Sequence, residues 1–99
     1  MIIILLPAFN EEKSFPSLID KIKLASEEFK EKYHIIVCND GSTDKTQEVL
    51  ESYTQSISLE IIKHQINRGL GESVRDLFER AAFISSDDDI IIRLDCDDT

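Results

Sequence analysis

The sequence predicts an α/β fold: a Rossmann-like β-α-β-α-β-α-β chain with a parallel sheet and helices on both faces. Three observations predict it. Short runs rich in Ile and Val alternate along the chain with segments whose apolar residues recur every three or four positions. Most of those runs are nearly continuous in apolar residues, as strands are when both faces of a sheet are covered. The concentrated polar residues follow the runs, at the edge where open sheets of this class bind ligands.

The first strand is read at 2–6, "IIILL". A helix follows with Phe15, Leu18, Ile22, Ala25 and Phe29 on one face. Ser14 is expected to cap it, and Pro16 falls in its first turn, where a missing N–H costs nothing. The second strand is "HIIVC" at 34–38. The next helix is expected to begin near Asp44, which with Gln47 resembles a capping box, and to bury Val49, Leu50 and Tyr53. "SLEIIK" at 58–63 is the third strand. Leu70, Val74, Leu77, Phe78 and Ala81 then fall at helical spacing, and "DIIIRL" at 89–94 is the fourth strand. Connections between such parallel strands are right-handed.

Ninety-nine residues with 41% hydrophobic content suffice for one packed core, so one domain is expected over 1–99. The net charge of -9 disfavours nucleic acid or an anionic membrane as partner, since phosphate backbones are held chiefly by Lys and Arg. Cys38 and Cys96 are too few for a disulfide framework, and each closes an apolar run, so buried free thiols and a cytoplasmic location are expected. The run at 2–6 is too short for a membrane span and lacks the flanks of a signal peptide.

Four polar segments share the predicted rim: "PAFNEE", "NDGSTD", "HQINRGLGES" and "DCDDT". Each alone is compatible with an ordinary turn. In the second, Gly41 permits a tight exit, and Ser42, Thr43 and Asp44 offer oxygens to the next helix. Asp40 is left over, placed to accept a hydrogen bond from the ring N–H of a uracil or guanine. Gly69 and Gly71 precede a helix, so backbone N–H groups there can meet a phosphate, with Arg68 beside them, although the spacing is neither a dinucleotide fingerprint nor a P-loop. Asp95, Asp97 and Asp98 repel one another and any diphosphate unless a hard cation such as Mg2+ or Mn2+ intervenes. Asp87 to Asp89 precede the last strand and are read as a solvated loop at the opposite end of the sheet.

"PAFNEE", "VCNDGSTDKT", "NRGLGESVRDLFERA" and "LDCDDT", in this order and at these separations, resemble the nucleotide-binding half of family 2 glycosyltransferases with the GT-A fold. The third motif is most similar to the branch that transfers sugars to dolichol or polyprenyl phosphate. The resemblance covers essentially the whole chain and implies binding of a UDP- or GDP-sugar for inverting transfer. It implies that Pro7, Ala8 and Glu11 line the nucleoside pocket and that Asp40 contacts the base, with Arg68 and Gly69 at the nucleotide. It also implies that Asp97 binds the metal and that Asp95 holds the ribose or the metal. Asn39 departs from a pattern that often has a second Asp, while Asp40 is retained.

Full-length members continue past this D-x-D pair with the acceptor-binding segment and the catalytic base. The chain is therefore expected to be a donor domain that ends directly after the D-x-D motif, is inactive alone, and needs the missing part to bind a lipid-phosphate or saccharide acceptor. With a lipid-linked acceptor, the inner face of the membrane is its place of work. No catalytic residue is assigned.

A silent nucleotide-binding or assembly module is the alternative. A phosphoacceptor receiver domain is disfavoured because "PAFNEE" offers Glu residues where such domains carry an acid pair, the third strand ends at Lys63 and His64, and no fifth strand exists. A nucleotidyltransferase opens with a Gly-rich loop, and "PAFNEE" has no glycine. An unpaired apolar edge at the fourth strand is a template for association, so homo-oligomers or aggregates are expected unless it is shielded.

Overall fold

The computed structural model describes residues 1–95; Asp97, Asp98 and Cys96 lie outside the described residues. The elements follow the expected order: β1 (Ile2–Ala8), α1 (Phe15–Phe29), β2 (Tyr33–Asp40), α2 (Thr46–Tyr53), β3 (Leu59–His64), α3 (Leu70–Ile84) and β4 (Ile90–Arg93). All strand pairs are parallel, and the sheet order is β3-β2-β1-β4.

Strand alternation divides the core into two layers. Ile4, Leu6, Ile35 and Val37 point to one face and pack with Phe15, Ile19 and Ile22 of α1 and Leu50 of α2. Ile3, Leu5, Ile36 and Cys38 point to the other and pack with Leu77 and Ala81 of α3. Two helices therefore cover one side and one helix the other. Cys38 is buried and free, as expected.

Four local expectations are corrected. Ser14 occupies the N-cap position of α1 but makes no capping bond; its hydroxyl donates instead to the Glu11 carboxylate. Pro16 does lie in the first turn. The second helix starts at Thr46, near Asp44 as expected, but Gln47 turns sideways to accept from the Asn39 amide and donate to Glu51, so no capping box forms. Several apolar positions at helical spacing remain exposed, notably Phe29, Leu70 and Phe78, while Ile19 and Ser73 are buried in their place. The apolar stripes are wider than the strip of sheet they meet.

The fourth correction concerns the acidic loop. Asp87 and Asp88 are exposed as expected, but Asp89 accepts from the Ser86 amide and lies 3.2 Å from the Met1 ammonium. Its carboxyl is held below the usual range, first by the Ser86 amide.

The fourth strand lies at the sheet edge, unpaired on its outer side as expected, but it is short, and Ile90 and Ile92 of its apolar run are exposed rather than covered. Ile92, Leu94, Phe29 and Tyr33 frame an apolar groove of about 420 Å³.

Both central strands run further than their apolar runs. Pro7, Ala8, Asn39 and Asp40 are still in the ladder, with Pro7 opposite Cys38 and Ala8 opposite Asn39. A proline inside a central strand needs a reason, because it lacks the donor N–H. Leu5 turns its carbonyl toward β4, where it accepts from Leu94, and Pro7 faces the same way by alternation. The β4 ladder has ended at Arg93, opposite Leu5, so no bond is lost.

Candidate functional site

The parallel ladder brings the carboxyl ends of all four strands to one rim. Alternation then decides which residues can meet. Asn39 falls on the α1 and α2 side and bonds Gln47. Asp40, one residue on, falls on the α3 side with Pro7 and Cys38. The departure at Asn39 is therefore on the opposite face of the sheet from Asp40.

Asp40 is not left over, as its sequence context suggested. It is buried at 4% exposure, and its oxygens accept from three donors: His64 Nδ1 at 2.8 Å, the Arg68 amide at 2.8 Å and the Gly69 amide at 2.9 Å. A carboxylate offers about four lone-pair positions, so one remains. Burial alone would raise its pKa, but the Arg68 amide, His64 and the Gly69 amide together hold it below the usual value. The Gly69 amide, expected to be exposed for a phosphate, is thus committed to Asp40 together with that of Arg68. The Arg68 side chain is exposed.

His64 closes β3 opposite Asp40 and is 5% exposed. Its second ring nitrogen lies 2.7 Å from Oδ2 of Asp76 on α3. Two ionised carboxylates can only accept, so both ring nitrogens carry protons and the ring is an imidazolium. Hydrogen bonding to Asp40 raises its pKa most, against the lowering effect of burial, and Asp76 adds to the rise.

Sequence reasoning had noticed His64 only as a strand end and had passed over Asp76. A signal existed: Asp76 follows Ser73 by three and precedes Leu77, so it borders the face that α3 buries.

The loops after β1 and β2 are stitched together. The Asn10 amide donates to Ser42 Oγ, Asn10 Oδ1 accepts from the Thr43 amide, and the Glu11 amide donates to Thr46 Oγ1. Asn10 adopts φ 54, a left-handed conformation that Asn tolerates. Asp44 binds the hydroxyl and amide of Thr46. Burial would raise its pKa, but Thr46 and the Glu12 amide keep it low.

Gly41 sits at φ +71, and a Cβ there would lie 2.3 Å from the Asn67 nitrogen and 2.4 Å from the Ile66 carbonyl carbon. The β2 exit and the loop before α3 thus touch backbone to backbone. Gly41→Ala is expected to destabilise the fold by about 2 kcal/mol or more, combining left-handed strain with the clash. Urea denaturation measures this; an unchanged midpoint would show that the loops separate freely.

A cleft of about 370 Å³ opens between these loops, lined by Pro7, Ala8, Phe9, Glu11, Asp40, Asn67, Gly69, Leu70 and Ser73. That volume is in the range of small-molecule sites. Of the predicted residues, Pro7, Ala8, Glu11, Asp40 and Gly69 meet in one cleft, and Phe9, Asn67, Leu70 and Ser73 join them. Ser73 is 1% exposed, and among the described residues its hydroxyl has no hydrogen-bond partner.

Asp95 is exposed beyond β4, with Oδ1 3.4 Å from the Arg93 guanidinium. Extending the β1·β4 register by two residues puts it level with Pro7. Among the described residues no three His, Cys, Asp or Glu side chains converge as a metal site, and Asp97 lies outside them.

The family description "Glycosyl transferase family 2" matches residues 3–99. The undecaprenyl-phosphate 4-deoxy-4-formamido-L-arabinose transferase of Photorhabdus laumondii is 32% identical over 94 residues, which are 95% of this chain and 28% of that protein. The chain thus spans little more than a quarter of the curated relatives it matches. Staphylococcus aureus TarS 1-349 in complex with UDP superposes with a TM-score of 0.76 at 23% identity, over 97% of this chain and 27% of that one, a likeness of fold. Glucosyl-3-phosphoglycerate synthase of Mycobacterium tuberculosis, in complex with Mn2+, UDP and phosphoglyceric acid, matches with a TM-score of 0.66 at 26% identity, over 98% of this chain and 33% of that one.

Proposed function

The chain belongs to glycosyltransferase family 2, and from that premise we propose that residues 1–99 are the donor-binding part of a glycosyltransferase. The observation that carries the reading is the cleft at the carboxyl ends of β1 and β2, where Asp40 is buried, ionised and left with one unused lone pair. That lone pair suits the ring N–H of uracil or guanine, and Pro7, Ala8, Phe9 and Glu11 offer walls for a nucleoside. The donor is a UDP- or GDP-sugar, consistent with the UDP complexes of the structural neighbours.

A divalent cation fits the donor set in chemistry. Asp95 presents an exposed carboxylate at the same rim, and carboxylates are the ligands that Mg2+ and Mn2+ prefer. In this reading Asp95 and Asp97 hold the ion, and Asp95 also meets the ribose. Such an ion supplies Lewis-acid stabilisation to a departing diphosphate. What the chain's own residues do is bind and orient: Asp40 fixes the base, and Gly69 and Arg68 border the nucleotide.

The acceptor, a lipid phosphate or a saccharide, belongs to a part beyond these residues. Inverting transfer needs a base to take the proton of an attacking hydroxyl, unless the nucleophile is already an ionised phosphate. The relatives' name carries undecaprenyl phosphate, which supports a lipid-phosphate acceptor and, in this reading, work at the inner face of the membrane. Among the described residues no helix is long and apolar enough to cross a membrane.

The test is a thermal-shift panel of UDP, GDP and their sugars, each with and without Mn2+. Stabilisation by one nucleotide class only when metal is present is expected, and Asp97→Ala is expected to abolish the metal dependence. At a hundredfold excess of ligand over Kd the gain is about 2.7 kcal/mol. Tight binding indifferent to metal would sink the metal assignment. No shift with any nucleotide would favour the second reading, a silent assembly module.

A further inference from the structure

We propose that His64 is a positioning residue for the nucleoside cleft: its imidazolium, seated between Asp40 and Asp76, holds the 65–69 loop and the first turns of α3 against the end of β2, so nucleotide affinity depends on its proton. The inference rests on the donor-binding reading above.

The geometry is a four-way tie. Asp40 ends β2, His64 ends β3, the amides of Arg68 and Gly69 belong to the connecting loop, and Asp76 stands on α3. Asn67, Gly69, Leu70 and Ser73, which form one wall of the cleft, lie on the segment that the imidazole pins at both ends.

The charges around the ring are few. From β2 come Asp40 and the Cys38 thiol, 3.7 Å from Nε2; burial pushes that thiol up, so it stays neutral. From α3 comes Asp76, whose other oxygen lies 3.8 Å from the Arg75 guanidinium. Lys63, on the same strand as His64, is exposed. The imidazolium is thus the charge set directly between two carboxylates.

A neutral imidazole keeps one N–H. Either Asp40 or Asp76 would then face a ring lone pair, and the tie would open on that side. The His64 pKa is raised in the folded chain. Its stabilising effect is therefore complete below the unfolded value of about 6.5 and disappears as pH rises through the folded value. Nucleotide affinity falls in the same direction. Linkage is reciprocal, so bound nucleotide must raise the His64 pKa further.

Calorimetry with UDP-N-acetylglucosamine and with GDP-mannose, each with Mn2+, tests this from about pH 6 to about pH 9, beside NMR titration of the His64 ring. Kd is expected to rise on the order of tenfold as the ring loses its proton. Asp76→Asn is expected to move the ring titration and the affinity midpoint together to lower pH, and His64→Gln to give weak binding that no longer varies with pH. Affinity that stays flat through the ring titration would overturn the proposal, as would an Asp76→Asn loss equal at every pH. The free chain provides an arm independent of nucleotide: the Arg68 and Gly69 amide resonances are expected to titrate with the ring. If no nucleotide binds at any pH, the donor reading fails; if those amides do not move, the tie itself is refuted.

Discussion

Asp40→Ala is expected to destabilise the fold by about 3 kcal/mol or more, the range for breaking a buried ion pair from one side. The substitution leaves the imidazolium of His64 with a single carboxylate and strips the Arg68 and Gly69 amides of their acceptor. Small domains have only about 5–15 kcal/mol in total, so this one carboxylate decides whether the chain stays folded under mild stress. Urea denaturation measures the effect. Asp40→Asn keeps an acceptor oxygen for the amides but loses the charge, and should fall between the two.

A pH series gives an independent signature of the same carboxylate. The folded Asp40 pKa is depressed, so its stabilising effect is present above the unfolded value of about 3.9 and is lost as pH falls through the folded value. Asp40→Ala should lose that part of the acid sensitivity. A loss under about 1 kcal/mol, with the acid limb unchanged, would mean that the tie contributes little net stability.

Phe15→Ala is expected to cost about 3–5 kcal/mol, the range for truncating a buried aromatic. Phe15 is fully buried at the start of α1, among Leu6, Ala8 and Leu50, and meets the Tyr53 ring edge-on at 5.5 Å between centroids. It thereby joins α1, α2 and the sheet at one point. The effect extends to the cleft, because the Phe15 amide donates to the Glu11 carbonyl and the Glu11 amide donates to Thr46. Phe15→Leu keeps most of the volume and should cost less than half as much. Thermal unfolding of both variants checks this; equal losses would point to the ring pair rather than the cavity.

Much of the fold could be read directly. Strands rich in Ile and Val alternate with amphipathic helices, and that order requires a parallel sheet with helices on both sides. The helix ends could not be read so well. Ser14 and Asp44 look like the start of capping motifs by type and position, yet side chains outside the helices claimed the partners: Glu11 took the Ser14 hydroxyl, and Asn39 at the end of β2 took Gln47. Residues outside a helix compete for the same donors and acceptors, and helix propensity does not register the competition. The exposure of Ile90 and Ile92 on β4 was equally invisible, since a run of Ile reads alike whether one face or two will be covered.

By itself the sequence determined the element order, the rim that gathers the polar loops, and the motif set that marks the family, because these depend on periodicity and residue type along the chain. Tertiary structure alone decided that Asp40 is buried in a tie with His64 and Asp76, and that Gly41 must touch Asn67. Those facts depend on which strands lie side by side and in what register, and a difference of one residue sends Asn39 and Asp40 to opposite faces of the sheet.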